Sequence, residues 1–149
     1  MANGQPLFDQ VNLVARDLDA TLTFYRRLGV DLDDARVWRT ASGAHHAEVR
    51  MPSGVSLELD SEAMAHHYDA GRRAAGAAGQ RAVIGFKLST REAVDARYAA
   101  LTAAGYVGRQ PPCDAFWGAR YAIVEDPDGT PVGLMSPVDP TRRGAPPSL

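Results

Sequence analysis

The stretch WGARYAIVEDPDGTPVGLMSP, residues 117–137, decides the fold of this chain. Two short apolar runs, residues 120–124 and 131–135, predict strands, and the DPDG sequence between them predicts a turn. Pro127 presets φ for the first corner of the turn, and Gly129 can adopt a positive φ without a Cβ clash. The stretch therefore predicts a β-hairpin near the end of the chain.

Composition and charge limit the class of protein. The 149 residues fit one domain with a single core. The formal net charge is −2 and acidic and basic residues are mixed, so the sequence has no basic cluster of the kind that binds nucleic acid or a membrane surface. No apolar run approaches the roughly 18 residues of a membrane span, and residues 1–10 lack the apolar core of a signal peptide. We therefore expect a cytoplasmic protein without nucleic-acid or membrane partners.

Residue usage adds two smaller indications. Lys87 is the only lysine among 16 basic residues, which together with the high alanine content indicates the codon bias of a GC-rich bacterial genome. Cys113 is the only cysteine, so an internal disulfide is excluded and a reducing compartment is expected.

The first sixty residues predict a strand, a helix and three strands. Residues 8–15 alternate, with Val11, Leu13 and Ala15 on one face and Gln10, Asn12 and Val14 on the other. A helix is expected between a cap at Asp17 and a stop at Gly29, with an apolar stripe of Leu18, Leu22, Tyr25 and Leu28. Residues 37–41, 44–51 and 55–60 read as short strands, and Glu58 falls on the polar face of the last one, with Ser56 and Asp60.

The same pattern then repeats. Residues 81–88 predict a strand, and Ser89 with Glu92 reads as a capping box for a second helix. The stripe Leu18, Leu22, Tyr25, Leu28 and Gly29 recurs as Val94, Tyr98, Leu101, Ala104 and Gly105, each 76 residues further on. A weak strand at 106–110, ended by Pro111 and Pro112, precedes the hairpin.

These observations predict a single domain of four segments. Module one covers residues 7–60, a connector with a short helix at 62–68 covers 61–80, and module two covers 81–137. The Pro-rich residues 138–149 are expected to form a disordered tail.

Two βαβββ modules, the DPDG hairpin and the W-G-x-R sequence at 117–120 resemble the vicinal oxygen chelate superfamily, which includes glyoxalase I, bleomycin-resistance proteins and extradiol dioxygenases. The resemblance implies an α+β fold in which two βαβββ modules form a curled mixed sheet with helices outside and a concave cleft inside. Leu22 and Tyr25 would pack against the apolar strand face, and the opposite face would line the cleft. The family also implies a homodimer that binds a small molecule.

In the metal-dependent members of this family, each module gives ligands from its first and last strands. Gln10 and Glu58 match those positions in module one, but module two offers only residues 82–85 and 132–134, none of which can bind a metal. We therefore expect no metal cofactor, with Gln10 and Glu58 as polar cleft residues. A divalent ion held by these two, with Glu58 as a catalytic base, is the alternative.

Histidines, aromatic residues and arginines complete the candidate site. His45 and His46 would point to opposite faces of a strand, so only one can face the cleft, and neither this pair nor His66 and His67 has zinc-site spacing. We expect aromatic residues and arginines at the edge of the cleft to bind the ligand. The alternative is that the aromatic residues pack in the core or in an interface and the arginines are solvated. The full set of predicted ligand-binding residues is Gln10, Asn12, Trp38, Arg50, Glu58, Trp117, Arg120 and Tyr121.

Three functions are compatible with these observations. The first is a metal-free small-molecule binding protein of the bleomycin-resistance type that sequesters an antibiotic or metabolite. The second is a metal-dependent lyase or isomerase similar to glyoxalase I. The third is a regulatory or partner-binding module without catalysis. All three share the fold, so the cleft must distinguish them.

Overall fold

The structure, a computed structural model, describes residues 10–68 and 83–145 of the 149-residue chain. The chain divides into two compact units, residues 1–77 (unit 1) and 78–149 (unit 2). Hydrogen bonding groups the eight strands of the described ranges into two mixed sheets of four, one in each unit.

The elements of unit 1 are β1 (Gln10–Ala15), α1 (Leu18–Leu28), a 3-10 helix (Asp34–Arg36), β2 (Val37–Arg39), β3 (His45–Arg50), β4 (Ser56–Ser61) and α2 (Glu62–Tyr68). Those of unit 2 are β5 (Ile84–Lys87), α3 (Arg91–Ala103), β6 (Gly108–Asp114), β7 (Arg120–Glu125), β8 (Pro131–Met135) and a second 3-10 helix (Pro140–Arg142).

The order of elements confirms the predicted pair of βαβββ modules. In unit 1 the strand order is β1-β4-β3-β2, with β1 parallel to β4 and the other neighbours antiparallel. In unit 2 the order is β5-β8-β7-β6, with β5 parallel to β8. The two units thus repeat one topology, as the 76-residue sequence repeat predicted.

Helix α1 packs its apolar stripe on the unit 1 sheet. Asp17 caps the helix by accepting a hydrogen bond from the Ala20 amide at 3.0 Å, and Gly29 ends it at a φ of 107°. The four residues of the predicted stripe are all buried, as are Leu57 and Leu59 of β4, which α1 contacts. The predicted division of the strands into an apolar and a polar face is therefore confirmed.

The predicted hairpin joins β7 and β8. The buried Asp126 carboxylate holds the turn by accepting hydrogen bonds from the amides of Asp128 at 2.9 Å and Thr130 at 2.8 Å. Gly129 has a φ of 79°, which a residue with a Cβ rarely adopts. The Asp126 side chain therefore stabilises the turn through these two hydrogen bonds.

Two predicted boundaries in unit 2 are wrong. Thr90, not Ser89, caps α3, because its side chain accepts the hydrogen bond from the Ala93 amide at 3.0 Å, and the helix begins at Arg91. Strand β6 continues through Pro111 and Pro112 to Asp114. The prolines are tolerated because β6 is at the end of the strand order and its register with β7 shifts around them.

Residues 138–145, expected to be disordered, have a defined path in the structure. They contain the second 3-10 helix, and backbone hydrogen bonds attach them to the loop before β7: Asp139 N to Gly118 O at 3.0 Å, and Gly144 N to Phe116 O at 2.8 Å. Gly118 has a φ of 95°, and a Cβ built on it would lie 2.4 Å from the Asp139 carbonyl oxygen. Because Gly118 has no Cβ, the backbone of the C-terminal segment can pack directly against it.

Several sequence-based boundaries lie partly outside the described residues. These are the start of module one at 7–9, connector residues 69–80, residues 81–82 of the β5 prediction and tail residues 146–149. The predicted connector helix at 62–68 corresponds to α2. In the described ranges, no helix is long and apolar enough to cross a membrane.

Candidate ligand-binding site

One face of the unit 1 sheet is polar and carries the candidate site. The register sets Asn12 of β1 opposite Glu58 of β4, and His46 of β3 opposite Asp60 of β4. A pocket of about 480 Å³ opens on this face. Its lining residues are Gln10, Asn12, Trp38, His46, Glu58, Asp60 and Met64.

A histidine–aspartate pair is part of the pocket lining. Asp60 is only 1% exposed, and one of its carboxylate oxygens lies 2.6 Å from Nδ1 of His46. An ionised carboxylate only accepts hydrogen bonds, so the ionised Asp60 requires the proton on Nδ1 of His46. The pair therefore fixes the imidazole ring and leaves Nε2 as the nitrogen that can accept a proton.

Asn12 connects this pair to Glu58. Its side-chain Nδ2 donates to Glu58 Oε2 at 2.7 Å and to Asp60 Oδ2 at 3.1 Å. Its Oδ1 accepts a hydrogen bond from Nε2 of Gln10 at 2.8 Å. These bonds orient the amide and hold both carboxylates close to each other on the polar face.

Trp38 provides the apolar wall of the pocket. It lies on β2 opposite His46, and 56% of its surface is exposed. Met64 of α2 adds a second apolar side chain to the lining. The pocket therefore combines a flat aromatic surface with two carboxylates.

The structure brings together half of the residues that the sequence predicted. Gln10, Asn12, Trp38 and Glu58 line this pocket, whereas Arg50, further along β3, donates from Nη1 to Ser56 Oγ at 3.0 Å.

Two lining residues, His46 and Asp60, were not among the predicted site residues. Asp60 shares the alternating polar face with Glu58, which was a usable signal. His46 required the β3–β4 register, which decides that this histidine and not His45 faces Asp60.

The other predicted residues belong to unit 2. Trp117 packs edge-to-face between Phe116 and Tyr121, with ring centroids 5.2 and 5.5 Å apart. Arg120 donates to Asp95 at 2.8 Å and to Asp114 at 3.1 Å. These ion pairs favour a structural role for this arginine.

The charges around Arg120 also shift pKa values. The hydrogen bond with Asp95 is the largest cause that raises the pKa of Arg120 above its usual range. The hydrogen bond from Arg120 is in turn the largest cause that lowers the pKa of Asp114, to which the nearby Arg91 contributes as well. The cluster therefore favours the ionised forms of Arg120 and Asp114.

The ligand set of metal-dependent relatives does not fit the described residues. In β8, Val132, Gly133 and Leu134 are buried and offer no metal-binding side chain. In unit 1, Gln10 lies opposite Ser56 and donates to Asn12. A different set exists in unit 1: single donor atoms of His46, Glu58 and Asp60 all lie within 4.8 Å of one another.

Solved structures of similar fold are numerous. A glyoxalase-related enzyme from Fulvimarina pelagi is 20% identical, with a TM-score of 0.71 and 89% of each chain covered. A glyoxalase/bleomycin resistance protein/dioxygenase from Nocardioides is 26% identical over 98% of this chain and 91% of its own, with a TM-score of 0.67. A lactoylglutathione lyase from Agrobacterium tumefaciens is 20% identical, with a TM-score of 0.60 and coverage of 90% and 96%.

A search of curated proteins found no match. A protein-family model matches residues 7–134, a range that includes both βαβββ modules. The chain therefore belongs to the Glyoxalase/Bleomycin resistance protein/Dioxygenase superfamily.

Proposed function

We propose that this chain binds a small organic molecule in the unit 1 pocket, and that the ligand carries a basic nitrogen next to a flat apolar group. The observation that carries the proposal is the lining of one pocket by the exposed indole of Trp38 and the carboxylates of Glu58 and Asp60. The pocket volume of about 480 Å³ is within the usual range for small-molecule sites.

The chemistry of the lining supports a basic ligand. An indole face attracts a cation by about 0.5–2 kcal/mol, depending on how well water is excluded. A carboxylate that is already oriented, as Glu58 is by Asn12, forms a charge-assisted hydrogen bond with little further ordering. A flat cationic molecule would satisfy both features at once.

We propose that binding does not need the four-ligand metal of the metal-dependent relatives. The described part of unit 2 supplies no ligands at the matching strand, and Gln10 is hydrogen-bonded to Asn12. Sequestration of an antibiotic or metabolite, as in bleomycin-resistance proteins, is the biological role that this proposal favours.

A second candidate function is proton transfer to or from a bound substrate, as in a lyase or isomerase. The observation that favours it is the His46–Asp60 pair, because a buried carboxylate that orients an imidazole is a common arrangement for a general base. Glu58 on the same face is an alternative base. A regulatory module without catalysis would use the pocket for binding alone.

The test is calorimetry on three variants with a ligand selected by a thermal-shift screen of flat basic compounds. Trp38→Ala should weaken binding by about thirty-fold, equivalent to about 2 kcal/mol, because the indole is the main apolar contact. Glu58→Gln should weaken it less but measurably, because one of two carboxylates remains. Trp117→Ala, in unit 2, is the comparator and should leave the affinity within about two-fold.

The same variants separate binding from catalysis. If Glu58→Gln or His46→Gln abolishes turnover of the ligand while its affinity stays near the wild-type value, the chain is an enzyme. If Trp38→Ala leaves the affinity within about two-fold of the wild-type value, the ligand site is not the unit 1 pocket.

We also propose that the chain acts as a homodimer in the cytoplasm. Twofold dimers are the commonest protein oligomers, and the family resemblance implies one here. The single Cys113 is compatible with a reducing compartment.

A further inference from the structure

We propose that His46, Glu58 and Asp60 form an exchangeable site for one divalent transition-metal ion of the zinc type, built entirely within unit 1. The three residues come from two adjacent strands whose register sets His46 directly opposite Asp60. One donor atom of each lies within 4.8 Å of the other two. All three line the pocket, so an ion could enter from solvent.

The donor types select the class of ion. One imidazole nitrogen and two carboxylate oxygens suit zinc, cobalt, nickel or manganese, whereas magnesium and calcium prefer sites made only of oxygen. The imidazole thus distinguishes this set from an ordinary group of acidic side chains. Asp60 is almost fully buried, so it is held in place before any ion arrives.

The spacing requires a side-chain movement. Zinc binds nitrogen and oxygen at about 2.0–2.2 Å in tetrahedral geometry, so two ligands of one ion lie about 3.4 Å apart. The observed upper limit of 4.8 Å exceeds this span by about 1.4 Å. Glu58 is only partly buried and has a rotatable side chain, so it can supply this movement.

The orientation of the ligands is also prepared. Asn12 donates to both carboxylates and Gln10 orients Asn12, which is the kind of outer hydrogen bonding that tunes metal sites. The bond between His46 and Asp60 already holds two of the three ligands 2.6 Å apart. An ion would replace the proton between them and widen their separation to about 3.4 Å.

This site differs from the one that metal-dependent relatives use. It shares Glu58 with the family pattern, but takes His46 from β3 and Asp60 from β4 in place of the first-strand ligand, and it needs nothing from unit 2. Water would take the remaining coordination position, and we expect the ion to exchange because Glu58 must move and the His46–Asp60 hydrogen bond must open before the ion binds. The inference goes beyond the ligand proposal, because an ion on these carboxylates would compete with a basic molecule for the same pocket.

The experiment is titration of the chelator-treated full chain with zinc alone, by calorimetry, and with cobalt, whose visible absorption reports ligand geometry. The wild-type chain should bind one ion per chain at this site. His46→Gln and Glu58→Gln should each weaken binding at least ten-fold, because each removes a ligand.

Two matched controls test the geometry. His45→Gln removes the neighbouring histidine, which accepts a hydrogen bond from the Thr40 amide on the other side of the strand. Glu48→Gln removes a carboxylate directly opposite Glu58 that is not part of the three-residue set. Both controls should bind zinc within about two-fold of the wild-type chain.

The proposal is overturned if the wild-type chain binds no zinc at millimolar concentration, or if the controls weaken binding as much as His46→Gln. Circular dichroism on each variant verifies that it is folded, and Glu58→Gln, a partly exposed and nearly isosteric change, remains informative if His46→Gln is unstable. The titration contains no organic ligand, so its failure would leave the ligand proposal untouched.

Discussion

Gly118→Ala tests whether the C-terminal segment contributes to stability. Gly118 has a φ of 95°, and forcing an L-residue into left-handed backbone costs about 1–2 kcal/mol. In addition, the new Cβ would lie 2.4 Å from the Asp139 carbonyl oxygen, which belongs to backbone and cannot rotate aside. The segment must therefore move away.

The movement breaks two backbone hydrogen bonds, from Asp139 N to Gly118 O and from Gly144 N to Phe116 O. Each contributes about 0.5–1.5 kcal/mol, so Gly118→Ala should lower the free energy of unfolding by about 2–5 kcal/mol in total. Gly129→Ala is the matched control, because Gly129 has a φ of 79° but nothing within 4 Å of its Cβ position. It should lower the free energy of unfolding by only about 1–2 kcal/mol.

Urea unfolding followed by circular dichroism measures both variants under the same conditions. A further variant that ends at residue 137 should make the two glycine substitutions equally costly, because the obstructing carbonyl is gone. If Gly118→Ala and Gly129→Ala cost the same in the full chain, the segment does not pack on Gly118 and the reasoning is wrong.

Three further predictions concern different parts of the molecule. Asp60→Ala should lower the free energy of unfolding by about 1–3 kcal/mol in urea titrations, because it removes the buried hydrogen-bond partner of His46 and Asn12. A loss below about 0.5 kcal/mol would contradict this buried pairing. Asp114 has its pKa lowered below the ordinary 3.8, foremost by the hydrogen bond from Arg120, so its stabilising contribution is present above that value and is lost as the pH falls through the lower folded pKa. Asp114→Asn should accordingly be less stable than the wild-type chain at pH 7 in thermal melts, and the difference should shrink below about pH 4 and not grow. Light scattering at micromolar concentration should give twice the mass of the chain, and a mass equal to one chain would exclude the proposed homodimer.

The sequence predicted most of the fold because the spacing of apolar residues and the presence of turn-forming residues are local properties of the chain. Alternation in β1 and β4 assigned the polar and apolar faces, and the stripe with its end at Gly29 predicted α1. The DPDG turn was equally clear, since Asp126 brings its own hydrogen bonds to the turn.

The errors arose where a neighbouring strand or segment decides the outcome. Pro111 and Pro112 normally end a strand, but at the end of a sheet no donor is needed on the outer side. The composition of residues 138–145 indicated disorder, yet Gly118 gives this segment a place to bind.

The candidate site was only partly predictable for the same reason. Glu58 and Asn12 follow from alternation and the family resemblance, but their contact is a pairing across 46 residues. His46 and His45 are indistinguishable until the register of β3 against β4 is known. Side-chain type can thus be read from the chain, whereas the grouping of side chains depends on strand register.

The parallel pairing of β1 with β4 has a consequence for the order of folding. The β2–β3 and β3–β4 pairs are antiparallel and close in sequence, so they need only short loops to form. Pairing β1 with β4 must close a loop of 46 residues, which is entropically slower. The amides of β1 should therefore gain protection from hydrogen exchange last, and the pocket, whose Asn12 comes from β1, would be complete only when the whole of unit 1 has folded.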